Sequence, residues 1–295
     1  MNVRANEASI DASVSATKAA GRSLNSKKHI VDILIEERAP HLAAGPLWPI
    51  AGPILRGLLG YKKARSMADA IAPLPGYSAL NYVSKLLRLN TKAQGLENIP
   101  HLGRCVIIAN HPTGIADGVA LYDALRDLRP DLCFFANADA LRVSHGLSDV
   151  VIPVEWPPEK RTLQSSKATV RHAKAAMECE RAVVIFAAGA LSRRVKGELR
   201  DPDWEHSAVA LARKYSAPIV PAHVTGPFPY LFHLFDRFSD ELRDVTLFHE
   251  LLNKANGDYA PCFNSFHVDI NQQELFRDPY ALRVSPFLCR RRYAL

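Results

Sequence analysis

Between residues 104 and 270 short apolar runs alternate with stretches of helical periodicity, and this alternation constrains the chain more than any other feature. The runs are Arg104–Ala109, Leu132–Asn137, Val150–Val154, Ala182–Ala187, Pro218–Ala222 and Ser265–Ile270. Helical patterns fill residues 115–128, 162–178 and 203–215 between them. Strands separated by single helices cannot pair as hairpins, so the pattern predicts an α/β fold with a mostly parallel central sheet flanked by helices.

The region before the alternation reads differently. Residues 1–28 are polar and rich in Ala, Ser and Lys, with no apolar core of a signal peptide, and are expected to form a flexible leader. Residues 29–94 are expected to be a helical N-terminal region, and 95–295 the α/β domain. Ile30, Ile33 and Leu34 against Asp32, Glu36 and Glu37 predict a helix from Lys28 to Leu42, ended or kinked by Pro40. Another is predicted from Tyr77 to Leu89. Residues 42–60 carry Arg56 as their only charge, a length near that of a membrane span. Pro46, Pro49, Pro53 and four glycines argue against a straight spanning helix, and a short helix starting at Pro53 is expected instead. With Trp48, Ile54 and Leu55 beside Arg56, Lys62, Lys63 and Arg65, the segment is a candidate for resting on a membrane surface. A helix packed on the main domain has the same pattern, so both readings stand here.

At 48% hydrophobic and 23% charged residues, the chain has enough apolar material for a sizeable core. Its net charge of +7 suits anionic partners without choosing among them. The five cysteines contain no CxxC pair, and the eleven histidines show no metal-ligand spacing with one another or with cysteine, so reduced thiols and no metal are expected. The Arg290–Arg292 run has no interleaved aromatic residues, and a nucleic-acid partner is not expected.

Chemistry concentrates at VIIANHPTGIADGVAL, residues 106–121. An apolar run, a polar turn and an amphipathic stretch place Asn110–Gly114 on a strand-to-helix loop, where α/β sheets line their ligand crevice. His111 therefore faces the crevice and Asp117 lies in the first turn of the next helix. A histidine oriented by a carboxylate can take a proton from a hydroxyl or an amine near neutral pH. The same two residues also read as a helix cap and a dipole partner. Pro112 and Gly114 suit the turn, and Gly118 permits close approach. A second cluster, VVIFAAGALSRRVKGELRDPDW (183–204), ends a strand in Ala-Ala-Gly and then presents Arg193, Arg194 and Lys196, whose cations suit phosphate or carboxylate. A solvated basic loop is the plain alternative. His223 reads as a packed strand histidine, and Trp204 as a core anchor.

NHPTGIAD resembles the signature block of the lysophospholipid (glycerolipid) acyltransferase superfamily, in which four residues separate Asn-His from Asp. Here five do, Pro112 to Ala116, as in the hemolysin-like branch linked to ornithine-lipid synthesis. The 183–204 block is similar to that branch's Phe-Pro-Ala-Gly-x-x-Ser-Arg form through Phe186, Gly189, Ser192 and Arg193. It departs from the superfamily's phosphate-binding form at Ala187, Ala188 and Leu191. APIVPAHVTG (217–226) is similar to a late strand-proline-glycine block, with Pro221 and Gly226 in structural roles.

The resemblance implies transfer of a fatty acyl group from acyl-CoA or acyl-carrier protein to a hydroxyl or amine of a lysophospholipid, glycerolipid or aminolipid. It makes His111 the general base and Asp117 its partner. Asn110, Gly114, Gly118, Gly189, Ser192, Arg193, Arg194 and Lys196 are the expected substrate contacts. No cofactor is implied beyond the acyl donor. The expected location is cytoplasmic, peripheral to the inner face of the membrane. Two alternatives accompany this reading: a catalytically inactive lipid-binding protein, and an acyl-thioester hydrolase. The lack of a Gly-x-Ser-x-Gly elbow counts against a serine hydrolase.

Overall fold

A strand covered on both faces must be apolar on both, and Cys105–Ala109 (CVIIA) is buried at all five positions. The computed structural model describes residues 28–156, 160–195 and 198–263. The expected leader apart from Lys28, the strand expected at 265–270, Lys196 and the basic run 290–292 lie outside the described residues.

Five helices come first: α1 (Ile30–Arg38), α2 (Pro40–Ala44), α3 (Trp48–Leu58), α4 (Tyr61–Ile71) and α5 (Gly76–Leu87). There follow β1 (Asn90–Thr91), β2 (Cys105–Ala109), α6 (Ile115–Leu125), β3 (Cys133–Asn137), α7 (Asp139–Val143), β4 (Val151–Val154), α8 (Leu163–Glu178) and β5 (Ala182–Phe186). A hairpin of β6 (Arg193–Val195) and β7 (Glu198–Arg200) precedes α9 (Ser207–Lys214) and β8 (Ile219–His223). The described chain closes with α10 (Tyr230–Phe235), α11 (Asp240–Val245), α12 (Leu247–Asn253), β9 (Asp258–Tyr259) and β10 (Cys262–Phe263).

The central sheet has the order β10-β8-β2-β5-β3-β4 and is parallel except at the β10 edge. Side chains alternate across it. Cys105, Ile107 and Ala109 meet α6 through Val119, Leu121 and Leu125, while Val106 and Ile108 meet α8 and α9 through Ala173, Met177, Ala208 and Ala212. Each buried Ile or Leu in these layers contributes about 1.5–3 kcal/mol relative to exposure. The chain leaves β2, builds β3 and β4 on one side, returns with β5 beside β2, and then crosses to β8 on the other side. Connections therefore diverge on either side of β2, the topology in which α/β sheets place their ligands beyond the carboxyl end of the strand.

The structure corrects two local expectations. Helix α3 starts at Trp48 rather than Pro53. Pro49 occupies its first turn, where N–H groups lack helical partners anyway, and Pro53 lies inside it at the cost of one backbone bond. The basic stretch after Gly189 is a β-hairpin rather than an open loop. The helical N-terminal region closes onto the sheet-bearing body through α1, α2, α4 and α5, which contact α7, α11, α12 and α6.

Candidate active site

Gly114 has φ 100° and ψ −151°, a conformation side chains oppose, and it turns the chain from β2 into α6 within a few residues. Asp117, at the third position of α6, folds back over this turn. Its Oδ2 accepts from the backbone N–H groups of Thr113 at 2.9 Å and Gly114 at 3.1 Å. Its Oδ1 accepts from Thr113 Oγ1 at 2.5 Å. The carboxylate is fully buried. A buried charge of this kind is tolerated because neutral donors surround it.

His111 Nδ1 lies 2.9 Å from the same Asp117 Oδ2. With a carboxylate there, Nδ1 carries the proton and Nε2 holds the free lone pair. Nε2 makes no hydrogen bond among the described residues, and the side chain keeps 7% of its surface accessible. The ring stacks on Phe186, at the end of β5, with centroids 4.1 Å apart and planes 22° apart. Three supports thus orient one imidazole: a carboxylate, an aromatic face and the β2 backbone.

Behind Asp117, Thr113 Oγ1 stands 2.8 Å from the Tyr259 hydroxyl. Thr113 spends its proton on Asp117, so Tyr259 donates to Thr113. Burial pushes the Tyr259 hydroxyl far above the usual phenol range, which keeps that donor protonated. The ring of Tyr259 needs Gly226 beneath it, because a Cβ there would come within 2.4 Å of Tyr259 Cε1. Neither Thr113 nor Tyr259 stood out in the sequence. Threonine lay unremarked inside the motif, and Tyr259 arrives from β9, 146 residues away.

Not every expected contact points outward. Asn110 uses both polar atoms on the backbone of Val224: Nδ2 donates to the carbonyl at 3.0 Å, and Oδ1 accepts from the N–H at 2.6 Å. It stitches the carboxyl ends of β2 and β8 together, so its amide is engaged within the fold. Ser192 is buried, and its Oγ donates to Asp201. The nearest atom to a Cβ at Gly118 would be Phe186 Cε2, at 3.9 Å. Gly189, with φ 61°, lets the chain leave β5 for the hairpin. Arg193 is exposed and pairs with Asp236 at 3.2 Å, and the Arg194 guanidinium lies 5.8 Å from the Phe228 ring centre. The basic hairpin is thus anchored on the α10 segment. His223 ends β8, where burial lowers its pKa against the opposing charge of Asp201. Trp204 donates Nε1 to Asp201 at 2.9 Å and packs against the α8–α9 layer.

Among the described residues, no group of three or more His, Cys, Asp and Glu side chains is placed to hold a metal ion. No described helix is long and apolar enough to cross a membrane. Leu47, Ile50 and Ile54 on and beside α3 are 72%, 69% and 57% exposed. On its other side α3 lines an apolar recess with Val31, Ile35, Trp48, Leu55 and Phe248, away from His111.

Residues 90–225 match the acyltransferase family model. A lyso-glycine lipid O-acyltransferase from Phocaeicola vulgatus is 30% identical over 152 residues, which cover 51% of this chain and 52% of that protein. Its counterpart from Bacteroides thetaiotaomicron is 28% identical over 152 residues, covering 51% and 54%. The chain therefore spans about half the length of the curated relatives it matches. Among solved structures, the 1-acyl-sn-glycerophosphate acyltransferase PlsC of Thermotoga maritima aligns with a TM-score of 0.39 at 13% identity, over 84% of this chain and 93% of that one.

Proposed function

We propose that this chain, whose residues 90–225 match the acyltransferase family model, transfers a fatty acyl group from an acyl thioester to a hydroxyl or amine of a lysolipid. The donor is acyl-CoA or acyl-carrier protein. The observation that carries the reading is the His111–Asp117 pair, bonded at 2.9 Å at the carboxyl end of β2, within the matched segment.

In this reading the acceptor's O–H or N–H meets His111 Nε2. As the proton moves to the imidazole, the acceptor oxygen or nitrogen bonds to the thioester carbonyl carbon. The resulting imidazolium is stabilised by Asp117, whose charge is held in place by Thr113 and the turn backbone. The tetrahedral intermediate collapses by breaking the C–S bond, and His111 returns its proton to the thiolate. A thiol is a good leaving group, so no covalent enzyme intermediate is required. The basic hairpin with Arg193 and Arg194 receives an anionic group of the acceptor. The named relatives act on lyso-glycine lipid, which makes a carboxylate-bearing aminolipid the first acceptor to try. In this reading the chain is peripheral to the cytoplasmic face of a membrane, with the exposed apolar side of α3 resting on the lipid surface that supplies the acceptor.

His111→Ala tests the assignment. Removing the imidazole leaves Asp117 its Thr113 and Gly114 donors, so the fold survives. Acyl transfer from labelled donor to a lysolipid panel is expected to fall about 10²–10⁴-fold, or about 3–5 kcal/mol of barrier. An unchanged rate in that variant overturns the role of His111. Release of free fatty acid at the transfer rate, without any lysolipid, puts water in the acceptor's place. Lipid mass spectrometry of cells with and without the protein identifies the acceptor.

A further inference from the structure

Several contacts converge on the root of the basic hairpin and are unused by the reaction as described. Strands β6 and β7 pair in the register Arg193↔Arg200, Arg194↔Leu199 and Val195↔Glu198. The next pair toward the sheet is Ser192 with Asp201, and their side chains are bonded, Ser192 Oγ donating to Asp201 Oδ1. Asp201 Oδ2 accepts from Trp204 Nε1 at 2.9 Å, and Trp204 is fixed in the α8–α9 layer. The backbone N–H of Ser192 donates to the carbonyl of His111 at 2.9 Å, and the N–H of His111 faces Asp201 Oδ1 from 3.5 Å. Leu191 lies against the turn, 3.3 Å from where a Cβ on Gly114 would stand. Just beyond, Glu205 N–H closes the excursion by donating to Ala187 O at 2.8 Å.

These bonds join two parts that come from different strands. One is the loop after β2, which carries His111. The other is the hairpin after β5, which carries Arg193 and Arg194. The Ser192–Asp201 pair touches both and is also tied through Trp204 to the core. We propose that Asp201, with Ser192 as its partner, is a positioning residue that sets the distance between the His111 base and the basic hairpin, and thereby the enzyme's preference for acceptors with an anionic headgroup, carboxylate or phosphate. This rests on the acyl-transfer reading. A clasp of this kind matters because a shift of about 1 Å between a binding group and a reacting group can cost about 10²-fold in rate. The loss falls on acceptors that use the hairpin and spares those that do not.

The test uses the full chain, acyl-CoA as donor and two matched acceptor pairs. One pair is a carboxylate-bearing lyso-aminolipid and its methyl ester. The other is lysophosphatidic acid and the monoacylglycerol with the same chain. Wild type is expected to favour the anionic member by about tenfold or more in kcat/KM, the value of a charge-assisted contact. Asp201→Asn and Ser192→Ala are each expected to cut that preference about tenfold, with the double variant no worse than either single one because the two side chains act as one unit. The pair that loses more identifies the headgroup. An unchanged preference in the variants overturns the proposal. So does an equal fall on both members of a pair, the mark of a merely weakened fold, and so does a wild type indifferent to charge. Each of these leaves acyl transfer itself standing. No transfer by wild type to any of the four acceptors defeats acyl transfer as well.

Discussion

At the scale of single residues the site is organised around one buried carboxylate. Asp117 accepts from two backbone N–H groups, one hydroxyl and the imidazole of His111. The spacing of His111 and Asp117 was legible in the sequence because both lie within one turn-and-helix segment, where local geometry alone brings them together. Tyr259 was not legible because its contact comes from 146 residues away, and Asp201 was not because its bonds to Ser192 and Trp204 form only once the β6–β7 hairpin brings them together. The Asp117→Asn variant isolates what the charge does. An amide keeps the size but presents one acceptor where the carboxylate presents two, and it offers no charge to the imidazolium. Acyl transfer is expected to fall by about 10²–10⁴ with a folded protein by circular dichroism. A rate within a factor of about two of wild type would remove Asp117 from the mechanism.

At the scale of elements, α3 and the β6–β7 hairpin are where sequence and structure part. The run 42–60 reads as apolar throughout, yet α3 has two apolar sides with different surroundings. Trp48 and Leu55 face the recess against α1 and α12, while Ile50 and Ile54 face outward. Periodicity cannot say which of two apolar sides is covered, because that depends on what else packs there. Lys62 and Lys63 are exposed at the start of α4, the helix that follows and contacts α3. Burying an exposed isoleucine in lipid gains about 1.5–3 kcal/mol, and each nearby cation about 1 kcal/mol on an anionic surface. The double variant Ile50→Glu with Ile54→Glu is therefore expected to lose at least about tenfold in sedimentation with phosphatidylglycerol-containing vesicles. Equal sedimentation of the variant and the wild type would retire α3 as the lipid-facing element.

At the scale of the whole molecule, the helical region before residue 90 is held on the sheet-bearing body partly by charge. The Arg142 guanidinium grips both oxygens of Glu37 at 2.7 Å, and Lys160 adds a contact at 3.0 Å. The Arg142 bonds, with Lys160 behind them, hold the Glu37 carboxyl at about 2, against an ordinary 4.5. A carboxyl depressed in the folded state stabilises above its unfolded pKa, and that stabilisation disappears as protons are forced on at lower pH. Glu37→Gln is thus expected to be less stable than wild type at neutral pH. The gap should close between pH 4.5 and about 2. Thermal melts across that range check it, and a gap that persists at the acid end would mean the ion pair is not its source.

The α/β class, the positions of β2, β3, β4, β5 and β8 and the proximity of His111 to Asp117 were determined by sequence alone, because each follows from local periodicity or from residues a few positions apart. The tertiary structure decided the rest: which strands flank β2, that Tyr259 reaches the Thr113–Asp117 contact, that Asn110 and Ser192 turn inward, and that Asp201 lies between the hairpin and the His111 loop. Those outcomes depend on contacts between segments far apart in the chain, where burial and hydrogen-bond satisfaction choose among arrangements that local preferences leave equivalent.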